Sequence, residues 1–236
     1  MITIKGKHSV LEALLSDVKI SDITIFDVNP TGDLKKILQL AAEKGIVVRK
    51  QQKNKLYHRQ FAGHQNVIAT ISHLNIQSLS VVNPVDHPIV VALDHLEDPF
   101  NVGAIMRTCH CLGINSIIMP KDRQAPINDA LVKASSGAAY YMSLIQVSNI
   151  ANALINCQKN GYWLYATDSH QGTDISTIDA AFPAILVVGN EHAGISKRVS
   201  KIVDNHIKIR MKGKIDSFNV SVATGIILHE LSKQLS

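Results

Sequence analysis

The run Asp216-Ser217-Phe218-Asn219-Val220-Ser221-Val222-Ala223 sets three small polar side chains, Ser217, Asn219 and Ser221, at the start of an apolar C-terminal helix. Val220, Ala223, Thr224, Ile227, Leu228 and Leu231 recur at helical spacing and predict a buried stripe, with Asp216 or Ser217 as the cap. Uncommitted amide N–H groups and the positive end of the helix dipole then face whatever these polar residues contact. Capping accounts for one of the three. A ligand-holding turn accounts for all of them.

Two other segments put chemistry-bearing residues at strand ends. The apolar run Ile185-Leu186-Val187-Val188 stops at Gly189-Asn190-Glu191-His192-Ala193-Gly194. A glycine-bearing turn at the carboxyl end of a buried strand is where open α/β sheets bind ligands. Upstream, Ile89-Val90-Val91-Ala92-Leu93-Asp94 runs into Asp98-Pro99-Phe100-Asn101-Val102-Gly103 and then a helix carrying Arg107. On that helix Val102, Ile105, Met106 and Cys109 read as the buried stripe, while Gly103, Arg107 and His110 share another face. His110 reads as a helix-surface histidine. The strand-like His206-Ile207-Lys208-Ile209-Arg210-Met211 leads through a loop at Gly213 to the C-terminal helix.

A sheet must position these segments. Strands are expected near 89–94, 115–119, 162–167, 184–188 and 206–211, alternating with helices near 99–112, 126–137, 148–159 and 217–234. That alternation is the pattern of a mostly parallel sheet covered by helices on both faces. Residues 1–73 read as a smaller αβ unit: a capping box of Ser9 and Glu12, a strand at 22–26, a helix at 34–44 stopped by Gly45, a strand at 46–48, a short helix at 54–61 and a strand at 66–71. Periodicity fades over 74–88, where Pro84 and Pro88 fall, so this stretch is the expected linker to a catalytic domain at 89–236.

Charge is unevenly placed. Residues 1–60 hold eleven Lys/Arg against six Asp/Glu, whereas the rest of the chain holds thirteen of each, so the whole net charge of +5 sits in the first quarter. It peaks at Arg49, Lys50, Lys53, Lys55 and Arg59, interleaved with the rings of Tyr57 and His58, a pattern suited to RNA phosphates and bases. No apolar run approaches the roughly 20 residues that span a bilayer, so no membrane partner is expected. Three cysteines without a secretion signal suggest reduced thiols and a cytoplasmic protein. Cys109 and Cys111 lie about 200° apart on a helix, and no second pair follows downstream, so no metal site is expected.

In this order the three segments resemble the motifs of the SpoU (TrmH-like) RNA 2′-O-ribose methyltransferases. The first motif spans Asp94 to Arg107, the second Gly189-Asn190-Glu191 with Gly194, and the third Ile209 to Ala223. The opening Gly6-Lys7-His8-Ser9-Val10-Leu11-Glu12-Ala13-Leu14-Leu15 is similar to the start of the substrate-binding domain in the RlmB-type branch, which methylates a guanosine ribose of 23S ribosomal RNA. The resemblance implies a SPOUT-type catalytic domain whose C-terminal segment, roughly 184–236, threads into a trefoil knot. It also implies S-adenosyl-L-methionine as methyl donor, a part in rRNA processing and a homodimer.

Carried onto this chain, the resemblance assigns donor binding to Gly189, Ile209, Met211, Phe218 and Asn219. It assigns catalysis to Arg107, with Asn101, Ser217, Asn219 and Glu191 positioning RNA or shaping the pocket. Gly103 is expected to leave room for a nucleotide beside Arg107. Arg107 would either bind the phosphate next to the ribose or take the hydroxyl proton. Two positions depart from the usual pattern: Arg210 stands where proline is usual and Phe218 where leucine is usual. Transfer-RNA ribose methylation and a non-catalytic role in RNA binding or ribosome assembly are the rival readings.

Overall fold

A computed structural model describes residues 1–26, 29–51, 64–168, 171–191, 193–214 and 217–235. Its first unit pairs β1 (Ile2–Lys5), β2 (Ile20–Ile25), β3 (Val48–Lys50) and β4 (Val67–Ile71) in the order β1-β4-β2-β3, with α1 (Lys7–Leu15) and α2 (Asp33–Glu43) between them in sequence. The period of a strand explains the packing: Val67, Ala69 and Ile71 alternate inward and share a core with Val10 and Leu14 of α1 and Leu34, Ile37 and Ala41 of α2. The expected capping box does not form. Gly6, at φ 95°, turns the chain from β1 straight into α1, no side chain caps the helix, and Ser9 is buried within its first turn. The expected helix at 54–61 lies outside the described residues.

The second sheet has eight strands in the order β10-β12-β9-β11-β6-β7-β8-β5, and every pairing is parallel. They are β5 (Ile76–Gln77), β6 (Ile89–Asp94), β7 (Ser116–Pro120), β8 (Ser143–Val147), β9 (Trp163–Thr167), β10 (Thr173–Asp174), β11 (Ala184–Gly189) and β12 (Asn205–Lys208). The helices are α3 (Pro99–Cys111), α4 (Asp129–Ala134), α5 (Ile150–Lys159), α6 (Lys197–Ser200) and α7 (Val220–Gln234). β6 and β11 are buried throughout, as strands covered on both faces must be. Ile89, Val91 and Leu93 of β6 face the core shared with α3 and α7, whereas Val90 and Ala92 face a second core with α5 and Val199 of α6.

The short strands β1, β5, β8 and β10 are absent from the sequence expectation. The last strand is shorter than expected, because β9 and β10 offer it partners only through Lys208. Residues 209–211 thus leave the sheet, and Ile209 and Met211 line a cavity.

The two sheets share one continuous hydrophobic core. Their contact is also polar: Lys5 N donates to Asp129 Oδ1 at 2.9 Å, Tyr140 Oη to Ser9 O at 3.1 Å and Tyr141 Oη to Glu12 Oε2 at 3.3 Å.

Candidate active site

The carboxyl ends of β6, β9, β11 and β12 and the amino end of α7 converge. Asp98 starts α3 by accepting from Phe100 N at 3.0 Å, and Pro99 occupies the first helical position, so Asn101 falls in the first turn. β11 ends at Gly189, after which Asn190 and Gly194 exchange backbone hydrogen bonds of 3.0 and 2.9 Å. That turn requires Gly189: an added Cβ would lie 2.4 Å from the carbonyl carbon of Gly194. The glycine therefore admits the close return of its own loop. Gly189→Ala is expected to destabilise the fold by about 1–3 kcal/mol, read as a lower urea midpoint at unchanged m-value.

α7 is capped by Asn219. Its Oδ1 accepts from Ser221 N at 3.0 Å and Ser221 Oγ at 2.6 Å. The expected caps were Asp216, which lies outside the described residues, and Ser217, which is exposed and lines a cavity instead. The Asn219 amide also reaches the other motifs. Its Nδ2 donates to Asn101 Oδ1 at 3.0 Å, and Asn101 Nδ2 donates to Glu191 Oε1 at 2.8 Å. Each amide both donates and accepts, so the chain from Ser221 to Glu191 runs in one direction and ends on a carboxylate.

Beside this chain opens a cavity of about 620 Å³. Gly189, Glu191, Ile209, Met211, Ser217 and Phe218 line it, as do Ile195, Val220, Ala223 and Ile227. Asn101, Asn219 and Arg107 lie outside its lining. The lining is polar and apolar in about equal measure, and its size suits a ligand of nucleoside dimensions. A second cavity of about 480 Å³ lies at the opposite edge of the sheet, between Pro88, Ile89, Ile114 and Leu235, away from all these residues.

Sequence reasoning missed the polar end of the site's cavity, where Asp168, Ser200 and His206 meet. His206 Nδ1 lies 3.7 Å from Asp168 Oδ2, and His206 Nε2 lies 3.4 Å from Ser200 Oγ. The signal was available, since Asp168 follows directly on strand β9. Also missed was the brace under the second motif. Buried Asp94 accepts from Ser196 N at 2.7 Å and holds His95 Nδ1 at 2.6 Å, while His95 O accepts from Asn190 Nδ2 at 2.9 Å. Both ends of the 190–196 turn are thus tied to β6.

Arg107 stands apart. Six residues along α3 from Asn101 is a rise of about 9 Å and a turn to another side of the helix. Its side chain is exposed, and Nη1 donates to Ser136 Oγ at 3.1 Å. The expected room beside Gly103 is filled: a Cβ there would lie 2.6 Å from Ala134 Cβ and 2.6 Å from Leu131 O, because α4 packs directly on it. His110 stacks on Tyr141 at 5.1 Å and contacts Asn115. Burial pushes the thiols of Cys109 and Cys157 up to about 12 and about 11, so both are neutral at pH 7 and unsuited to nucleophilic chemistry. Among the described residues no group of His, Cys, Asp and Glu is arranged to hold a metal ion.

Fold and site together define an α/β enzyme with its ligand cavity at the carboxyl edge of a parallel sheet and a smaller α/β unit in front. The chain belongs to the SpoU rRNA Methylase family, which matches residues 88–229. Residues 3–77 match the family described as RNA 2′-O ribose methyltransferase substrate binding. Among curated relatives, a protein of Staphylococcus saprophyticus assigned to the TrmH family of tRNA/rRNA methyltransferases is 33% identical over 99% of this chain and 96% of its own length. The AdoMet-bound rRNA methyltransferase from Sinorhizobium meliloti is 25% identical, with a TM-score of 0.82 over 100% of this chain and 88% of that one. The TrmH/SpoU tRNA modifying enzyme of A. aeolicus is 31% identical, with a TM-score of 0.57 over 66% of this chain and 79% of that one.

Proposed function

We propose that this chain transfers a methyl group from S-adenosyl-L-methionine to the 2′-hydroxyl of a ribose in RNA, a guanosine of 23S ribosomal RNA, as a cytoplasmic homodimer. The observation that carries the reading is the hydrogen-bonded chain Asn219–Asn101–Glu191, which ties three distant motifs together beside a nucleoside-sized cavity. When bound, the donor would supply an electrophilic methyl group on a sulfonium: the ribose 2′-oxygen bonds to that carbon, the carbon–sulfur bond breaks to leave a neutral thioether, and the hydroxyl proton is given up to solvent. Ile209, Met211 and Phe218 form apolar walls for the donor, and the turn at Gly189 closes one side. Glu191 sets a negative charge at the rim that favours a cationic ligand, and Asn101 and Asn219 hold that carboxylate still. Ser217 contacts the RNA at the mouth. Arg107 grips the phosphate next to the reacting ribose, a task its charged fork suits.

In this reading residues 1–73 bind substrate, 74–88 link while lending β5 to the second sheet, and 89–236 form the rest of the SPOUT domain with its trefoil knot over roughly 184–236. Family membership and the likeness to the Sinorhizobium enzyme support the knot. Exposed Phe100, Phe218 and Val222 near the amino ends of α3 and α7 support a dimer through that face. Among the described residues no helix is long and apolar enough to cross a membrane. The folded αβ unit before the linker favours ribosomal over transfer RNA; relatives assigned to a tRNA/rRNA family keep the second substrate in play.

The test is transfer of labelled methyl from S-adenosylmethionine to unmodified 23S rRNA and, in parallel, to bulk tRNA, with mapping of the modified ribose. Label on a ribosomal guanosine 2′-oxygen supports the proposal. Label on tRNA alone keeps the chemistry and overturns the substrate. Donor binding without label on either favours the non-catalytic factor. Arg49 and Lys50, exposed on edge strand β3, would contact RNA backbone together with Lys53, Lys55 and Arg59, which lie outside the described residues. Reversing both charges, R49E/K50E, is expected to weaken RNA binding about tenfold at low salt and much less at high salt, read from Kd against ionic strength.

A further inference from the structure

We propose that Ser136 is a positioning residue for Arg107, and that docking of the N-terminal unit sets this position through the turn at 135–141. The inference rests on Arg107 as an RNA-contacting residue of the proposed reaction. Arg107 Nη1 donates to Ser136 Oγ at 3.1 Å, and the turn that presents this hydroxyl is over-determined. Ser136 sits at φ 50°, a left-handed backbone that costs a non-glycine residue about 1–3 kcal/mol unless the surroundings enforce it. Ser135 enforces it: its Oγ donates to Val132 O at 2.8 Å and accepts from Ala139 N at 3.3 Å. Gly103, one helical turn before Arg107, brings α3 onto the same turn, since a Cβ there would lie 2.9 Å from Ser135 N. The glycine thus sets the approach that lets Ser136 reach the guanidinium.

The far side of the turn is held by the other unit. Gly137, at φ 89°, packs on α1 so closely that a Cβ would lie 2.6 Å from Glu12 Cβ. Tyr140 donates to Ser9 O and Tyr141 to Glu12 Oε2, and the Tyr141 ring stacks on His110, three residues beyond Arg107 on α3. The substrate-binding unit therefore presses on the segment that orients the arginine. When α1 is docked, the guanidinium is held in one direction; when it is not, the turn loses its outer support.

The test uses the full chain with unmodified RNA. S136G keeps the left-handed backbone and removes the acceptor. S136N keeps both, because asparagine enters that region readily and its side-chain oxygen accepts. S136G is expected to lower kcat about tenfold with Kd for S-adenosylmethionine unchanged and thermal melting no lower than wild type, since glycine relieves the left-handed backbone, and S136N to regain most of the lost rate. Wild-type kcat in S136G overturns the proposal, as does an equal loss in S136N or a loss of donor binding. R107A assayed alongside separates the two levels: if it is fully active, Arg107 itself has no role, whereas an inactive R107A with a fully active S136G removes only the positioning. For docking, Y141F and G137A are made singly and on S136G. Losses that vanish on the S136G background support the route through Ser136, and additive losses overturn it. Y141F carries this arm if G137A fails to fold.

Discussion

Arg107→Ala is expected to lower kcat/KM for RNA by at least about a hundredfold while leaving donor binding and thermal stability close to wild type. The size follows from what the guanidinium would do, and the selectivity from where it sits. An arginine clamp on the phosphate beside the ribose fixes the 2′-hydroxyl against the methyl group, and a misplacement of about 1 Å there costs on the order of 10²-fold. Yet Arg107 is exposed, lies outside the lining of the cavity and gives its Nη1 hydrogen bond to a neutral hydroxyl. Removing it takes nothing from the core and leaves no buried charge. Isothermal titration with S-adenosylmethionine and single-turnover methylation of RNA measure the two sides. Equal losses in both would place Arg107 in the donor site, and wild-type turnover would remove it from the reaction. Arg107→Lys refines the result: a lysine keeps the charge but not the bidentate fork, so partial activity is the mark of a phosphate clamp.

Much of the architecture was legible because it is local. Alternation along β4, unbroken apolar runs in β6 and β11, and the Asp98-Pro99 start of α3 are each written in a few adjacent residues. What failed was decided by partners far along the chain. β8 carries Ser143 and Gln146 among its apolar residues and has no glycine at its ends; β7 and β5 make it a strand by pairing on either side. The cap of α7 was assigned to Asp216 or Ser217 because both precede a helical pattern, but Asn219 wins by reaching Ser221 and Asn101 at once. The surroundings of Arg107 were the least legible. Gly103 looked like space for a nucleotide, and only the arrival of α4 shows that the space is filled. The polar turn at Ser217 and Asn219 was visible as spacing, and Asn101 and Glu191 were chosen by resemblance; the hydrogen bonds that join Asn101 to Glu191 and to Asn219 span 90 and 118 residues, which no local pattern encodes.

That span makes Asn101 the sharper probe of the cavity. Asn101→Ala is expected to lower kcat about a hundredfold and to weaken donor binding, with a change in unfolding free energy below about 1 kcal/mol. The stability cost is small because Glu191 and Asn219 are exposed, so water replaces the lost amide. The functional cost is large because the amide joins three motifs: it donates to Glu191 at 2.8 Å and accepts from Asn219 at 3.0 Å, and no hydration shell holds both in one geometry. Asn101→Asp separates geometry from charge. The carboxylate keeps the shape and still accepts from Asn219, but it meets Glu191 as a like charge where a donor stood. If the network acts by orientation, N101D is at least as inactive as N101A despite its closer shape. If N101D instead retains most of the wild-type rate, the Asn101–Glu191 contact carries no weight and Glu191 is held by the 190–194 turn alone. Donor titration, kcat on RNA and urea unfolding of both variants distinguish these outcomes.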